Sequence, residues 1–126
     1  MLTGHAQAVD SEPLATIEYT NGLCGAACYG INVLYEDGTI HQGSETKHAS
    51  AADLRRMKSL IEKANFDSIK SQPFTGRCPT ASNGQERTYT FYMSDGKSES
   101  LRSCKYVINP KSDPFATLHR ILESKQ

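Results

Sequence analysis

The sequence predicts an α+β domain, built as a small antiparallel sheet with two helices on one face in ββα-ββα order. Runs of alternating apolar residues occur twice along the chain, and each group is followed by a segment whose apolar residues recur at helical spacing. Four cysteines, an even number, suit two disulfides that staple the domain. With 126 residues, the chain is long enough to bury one hydrophobic core.

The first segment is an expected N-terminal arm. Residues 1–13 are polar and patternless and close with Pro13, so we expect them to be flexible and a single domain to occupy residues 14–126. The run LATIEYT then alternates and predicts a half-buried strand. Its apolar face carries Ala15, Ile17 and Tyr19.

A β-hairpin follows in INVLYEDGTIHQG. Ile31, Val33 and Tyr35 share one face of the predicted strand, and Asp37-Gly38 is a turn-forming pair between the two strands.

The first predicted helix begins after Ser50, which can cap it, with Asp53 at the third helical position. Asn65 is the expected end of this helix. Its apolar stripe consists of Leu54, Met57, Leu60, Ile61 and Ala64.

The second half of the chain repeats this plan after a loop of about sixteen residues, SQPFTGRCPTASNGQE. In RTYTFYM, Tyr89, Phe91 and Met93 share a face, and Asp95-Gly96 predicts the next turn. Asp113-Pro114 then favours the start of a terminal helix. The stripe of that helix is Phe115, Leu118, Ile121 and Leu122, which leaves His119 on the side expected to face solvent.

The cysteines allow three disulfide pairings, of which we favour Cys24–Cys28 as a local clasp and Cys78–Cys104 as a long-range staple. Disulfides indicate an oxidising compartment, and the small-x-small string Ala6-Gln7-Ala8 resembles a signal-peptidase site. We therefore expect a secreted or periplasmic protein. The alternative is four reduced, buried thiols in a cytosolic protein.

Several function classes find no support in the pattern. The formal net charge is zero and no apolar run approaches a bilayer's thickness, so we expect neither nucleic-acid binding nor a membrane span. Cys78 and Cys104 form no short-spaced ligand pair to complete a zinc site with Cys24 and Cys28, so we expect no metal and no cofactor. No Gly-x-Ser-x-Gly elbow surrounds a serine, and the glycine-rich stretch NGLCGAACYG lacks the lysine of a phosphate-binding loop. We expect no enzyme activity.

What remains for the Gly/Cys cluster is a rigid, projecting loop. Asn21-Gly22 forms turns readily, and Gly25 permits positive φ angles. A loop ordered in advance loses less entropy when it binds a partner. A structural alternative stands beside this one, in which the glycines only route the chain between two strands.

Three stretches resemble emfourin, a family of small bacterial proteins that inhibit thermolysin-like metalloproteases. NGLCG at Asn21–Gly25 stands where the family has a glycine-rich turn, LRRMKSLIEKANF with DSI is similar to its leucine-rich helix and the signature that follows it, and TYTFYMSDGK is similar to its Thr-Tyr strand. The resemblance spans roughly Ile17 to Leu122. CGAAC followed by YEDGTI also resembles a related bacterial domain family of unknown function, and the four cysteines are not part of the inhibitor pattern.

The resemblance implies a non-catalytic, monomeric inhibitor of a secreted metalloprotease that occludes the protease cleft with its loops. We expect one contact loop at Asn21–Gly25 and a second within Thr75–Glu86. The contact residues would be Asn21, Gly22, Leu23, Cys24, Gly25, Thr75, Arg77 and Asn83. The alternatives are an envelope-associated interaction module and a small hydrolase or thiol enzyme.

Overall fold

A computed structural model describes residues 11–21, 29–78 and 85–123. It is α+β, as predicted, with one antiparallel sheet of six strands among these residues. In chain order the elements are β1 (Pro13–Asn21), β2 (Gly30–Tyr35), β3 (Thr39–Gln42), β4 (Glu45–His48), α1 (Ala51–Lys63), α2 (Phe66–Lys70), β5 (Gln85–Tyr92), β6 (Ser98–Arg102) and α3 (Phe115–Glu123). The strands lie side by side in the order β4-β3-β2-β1-β5-β6.

The predicted ββα-ββα order is therefore wrong, as is the count of two helices. The strand β4 was missed because Glu45–His48 contains no apolar residue. It pairs with β3 because Gly43, at φ 60, lets the chain reverse. The short helix α2 was missed because Asn65 signals a helix end; its side chain instead accepts a hydrogen bond from the backbone of Ser68 and caps a new helix.

The hydrophobic core lies between one face of the sheet and the helices. Ala15, Ile17, Tyr89 and Phe91 are almost fully buried there, and the predicted helix stripes supply the opposite wall. The buried stripe residues are Met57, Ile61, Phe115, Leu118, Ile121 and Leu122. Burial of such side chains contributes about 1.5–3 kcal/mol each and is what holds the helices on the sheet.

The predicted local signals for the turns and caps are confirmed. Asp37 accepts a hydrogen bond from the amide of Thr39 at 2.9 Å, and Gly38 has φ 95. The hydroxyl of Ser50 accepts the amide of Asp53 at 3.1 Å and caps α1. Asp113 accepts hydrogen bonds from both the amide and the hydroxyl of Thr117 at the start of α3.

The second strand shows which side of the sheet faces solvent. Ile31, Val33 and Tyr35 do share a face, as predicted, but Leu34 is the residue of β2 that is fully buried. Since neighbouring residues of a strand point to opposite faces, the shared face of the three is the one turned away from the helices.

Candidate functional site

Both predicted contact loops leave the sheet at the same end. Asn21, the last residue of β1, is paired with Gln85, the first residue of β5. We call this end of the sheet, where β1 ends and β5 begins, the loop end. Of the predicted contact and disulfide residues, the following lie outside the described residues: Gly22, Leu23, Cys24, Gly25, Cys28 and Asn83.

The start of the second predicted loop is tied to the chain that follows β6. The amide of Phe74 donates to the carbonyl of Lys105 at 2.9 Å, and the amide of Val107 donates to the carbonyl of Gln72 at 2.8 Å. Residues 72–74 therefore run antiparallel to residues 105–107. This backbone pairing holds the start of the loop segment although its sequence carries no strand signal.

Thr75 and Arg77 are exposed on this tethered segment, so both are accessible to a partner. The predicted loop ends earlier than expected, because Gln85 and Glu86 already belong to β5.

A disulfide closes the segment. Cys78 and Cys104 are bonded, with their Cα atoms 5.2 Å apart, so the long-range staple of the favoured pairing is confirmed. Backbone pairing at residues 72–74 and the covalent bond at Cys78 thus anchor the two ends of residues 72–78. The Cys24–Cys28 bond falls outside the described residues.

A buried carboxylate lies beside the disulfide, a feature that the sequence did not reveal. Glu86 is only 8% exposed, and its oxygens accept hydrogen bonds from Nε and Nη2 of Arg102 at 3.0 and 3.3 Å. The carboxylate of Glu86 raises the pKa of Arg102 through these bonds. Glu86 and Arg102 are 16 residues apart in sequence, and no local pattern couples them.

This group could be mistaken for a metal centre. One oxygen of Glu86 and the sulfurs of Cys78 and Cys104 lie within 4.8 Å of one another. Cysteine, however, binds a metal ion as a thiolate, which a disulfide-bonded sulfur cannot supply. Arg102 also neutralises the carboxylate, so this cluster is a structural brace at the loop end.

The sheet face turned away from the helices carries an aromatic and aliphatic strip that starts at the loop end. Tyr29 is 50% exposed and Ile31 is 39% exposed, and Val33 and Tyr35 continue the row along β2. The ring of His41 meets that of Tyr35 edge-on at 5.1 Å. Together with Tyr19, Gly30, Asn32 and Gly43 they line an open depression of about 520 Å³. We call Tyr29, Ile31, Val33, Tyr35 and His41 the outer strip.

A hydrogen bond orders the Tyr29 end of the outer strip. The hydroxyl of Tyr29 donates to Oε2 of Glu18 at 2.7 Å, and this bond raises the pKa of Tyr29. The bond thereby ties the side chain of Tyr29 to β1. Tyr29 and Ile31 are thus the exposed end of a row whose other members are partly buried.

One further cluster has the residue types of a catalytic relay. The hydroxyl of Tyr89 lies 2.7 Å from Nε2 of His119, whose Nδ1 lies 3.3 Å from a carboxylate oxygen of Glu123. The expectation that His119 faces solvent is therefore wrong: its side chain is 14% exposed and packs edge-on against Tyr89. Tyr89 is 1% exposed, and burial raises its pKa. Because a substrate cannot reach this hydroxyl, the contact stabilises the fold and offers no nucleophile.

No protein-family model, curated protein or solved structure matches this chain. Function therefore has to be argued from the surfaces just described. Among the described helices, none is long and apolar enough to cross a membrane.

Proposed function

We propose that this chain is a non-catalytic, extracytoplasmic protein-binding domain that engages its partner with the loop end and the adjoining outer strip. The observation that carries the proposal is the pairing of Asn21 with Gln85, because the first predicted loop follows Asn21 in sequence and the second leads into β5. The resemblance to emfourin supplies the class of partner. We propose a secreted thermolysin-like metalloprotease, inhibited by occlusion of its cleft.

The tethering of residues 72–78 supports this mechanism. A segment held by backbone hydrogen bonds and by the Cys78–Cys104 bond is already ordered before a partner arrives. The entropy cost of ordering an interface side chain is about 0.5–1.5 kcal/mol, so an ordered segment gains affinity without additional contacts. Rigidity also opposes the deformation that productive cleavage of a bound loop requires.

The outer strip supports the proposal through its position. A specific interface buries about 800 Å² on each partner, which is more than two short loops offer. The strip begins beside the loop end and adds Tyr29 and Ile31, side chains of the type found at the centre of interfaces.

An oxidising compartment is part of the proposal. A disulfide that persists fits the secreted or periplasmic location expected from the cysteines. A secreted protease and this protein would then meet in the same compartment.

The first experiment is a titration against a thermolysin-like protease, with the intact mass of this protein recorded afterwards. We expect a stoichiometric end point, no turnover and an uncut chain. Gly25→Arg in the first loop should abolish inhibition while the melting temperature hardly changes. Arg77→Glu on the tethered segment should weaken inhibition at least tenfold.

Arg55→Glu is the matched control, because Arg55 is an exposed arginine on α1, away from the loop end. Equal losses from Arg77→Glu and Arg55→Glu would mean that net charge matters and that the tethered segment is outside the interface. Absence of inhibition by the intact protein would refute the protease as partner. The envelope-associated interaction module would then be favoured by capture of a different, specific partner whose binding is weakened by substitutions in the outer strip.

A further inference from the structure

A second cavity lies at the opposite end of the sheet from the loop end. It sits where β1 begins and β5 ends, under one side of α1, and has a volume of about 280 Å³. Its floor is apolar, formed by Leu14, Ile61 and Tyr92. Leu14 and Ile61 are 3% and 1% exposed and belong to the hydrophobic core, so the floor is rigid.

The size of the cavity limits what it can hold. Pockets for small-molecule ligands and cofactors span about 300–1,000 Å³, so this cavity lies just below that range. It is large enough for one bulky apolar side chain. Pockets that accept a single anchoring side chain are typical of protein interfaces.

The rim of the cavity is charged, and its charges do not cancel. Lys58 and Glu62 stand one helical turn apart on α1, and Glu36 follows β2. Two carboxylates against one ammonium leave a net charge of −1 over an apolar floor. Such a rim attracts a positive charge placed next to the apolar group that enters the cavity.

One rim carboxylate is held in place. Oε2 of Glu62 accepts a hydrogen bond from the backbone amide of Ser94, in the turn between β5 and β6, at 3.1 Å. This bond ties the last turn of α1 to the turn at the end of β5 and fixes one side of the cavity mouth. The charge of Glu62 is therefore positioned before any ligand binds.

We propose that this cavity is a second protein-binding site, which accepts a bulky apolar side chain of a partner segment that carries an adjacent lysine or arginine. The apolar side chain rests on Leu14, Ile61 and Tyr92, and the basic group lies between the carboxylates of Glu36 and Glu62. The site lies across the sheet from the loop end and does not depend on the proposed protease contact.

Three blocked tetrapeptides test the proposal by amide chemical-shift titration of the labelled protein. The probes are acetyl-Gly-Leu-Arg-Gly-amide, the same peptide with Glu in place of Arg, and the same peptide with Gly in place of Leu. We expect saturable shifts at the amides of Lys58, Glu62 and Ser94 with the Leu-Arg peptide. The other two peptides should bind several-fold more weakly, since one lacks the matching charge and the other the apolar anchor.

Three variants sharpen the test without touching the core. Ser94→Trp places a large ring at the cavity mouth and should abolish the shifts, whereas Ser44→Trp, another exposed serine in a hairpin turn, should leave them unchanged. Glu62→Gln keeps an acceptor for the Ser94 amide but removes the charge. It should reduce the preference for Leu-Arg over Leu-Glu by up to about fivefold, the range of exposed charge pairs.

Three outcomes would overturn the proposal. The first is the absence of saturable shifts at the cavity. The second is equal affinity for the Leu-Arg and Leu-Glu peptides. The third is unchanged binding of the Leu-Arg peptide to the Ser94→Trp variant. None of them bears on the protease titration, and failure of that titration leaves this experiment interpretable.

Discussion

Removing the Cys78–Cys104 disulfide is the perturbation whose size follows most directly from the structure. The two cysteines are 26 residues apart, and the loop that they close contains β5 and β6. In the chain-entropy treatment, a loop of this length stabilises the folded state by about 3.5 kcal/mol through its effect on the unfolded chain. We expect the double variant Cys78→Ala/Cys104→Ala to lose about that much free energy of unfolding.

The double variant is needed because a single substitution would leave one cysteine free to pair elsewhere. Urea denaturation gives the free energy and the slope m together. The free energy should fall by about 3–4 kcal/mol, which for a domain of this length lowers the melting temperature by about 10–15 °C. The slope should rise, because the unfolded chain without the bond exposes more surface.

A loss below about 1 kcal/mol with an unchanged slope would refute this reasoning. It would mean that the backbone bonds between residues 72–74 and 105–107 persist in the unfolded state and already restrict it. Ser44→Ala/Ser112→Ala serves as control, since it changes two exposed positions outside the closed loop.

Three further predictions concern single substitutions. Tyr89→Phe removes the hydroxyl that lies 2.7 Å from Nε2 of His119 and should cost about 1–2 kcal/mol in urea denaturation; a cost near zero would show that water replaces the contact. Gly38→Ala should cost about 1–2 kcal/mol by the same measurement, because φ is 95 there, whereas Gly30→Ala, whose new Cβ would have no atom within 4 Å, should change stability by less than about 0.5 kcal/mol. Hydrogen bonds from Thr117 lower the pKa of Asp113, so its contribution is complete above the ordinary carboxyl pKa and is lost as the pH falls through the folded-state pKa. Asp113→Asn should therefore flatten the fall in stability as the pH drops below the ordinary carboxyl pKa, and an unchanged acid profile would contradict the assignment.

The outer strip shows which features of a strand sequence periodicity predicts and which it does not. Alternation correctly grouped Ile31, Val33 and Tyr35 on one face, since side chains of a strand alternate strictly. Which face meets the helices depends on how β2 pairs with β1 and β3, where Leu34 lies opposite Ala15 and Ile40. That pairing joins residues far apart in sequence, so alternation alone could not tell that these three residues lie on the face turned away from the helices.

The elements that were missed have little sequence signal of their own. The strand β4 has no apolar residue, and it forms because its backbone pairs with that of β3. The helix α2 has five residues and is held by Phe66, whose ring packs 5.6 Å from that of Phe91. Elements this short are stabilised by tertiary contacts more than by local propensity.

By itself, the sequence determined the local features of this protein. The caps at Ser50 and Asp113 and the turns at Asp37-Gly38 and Asp95-Gly96 depend on atoms a few residues apart, and the helix stripes depend on a fixed period. Only the tertiary structure decided that Asn21 meets Gln85, that Glu86 lies against the Cys78–Cys104 bond, and that a charged cavity opens at the far end of the sheet. These juxtapositions join residues from different strands and helices, and they arise from burying one shared core, which no local pattern encodes.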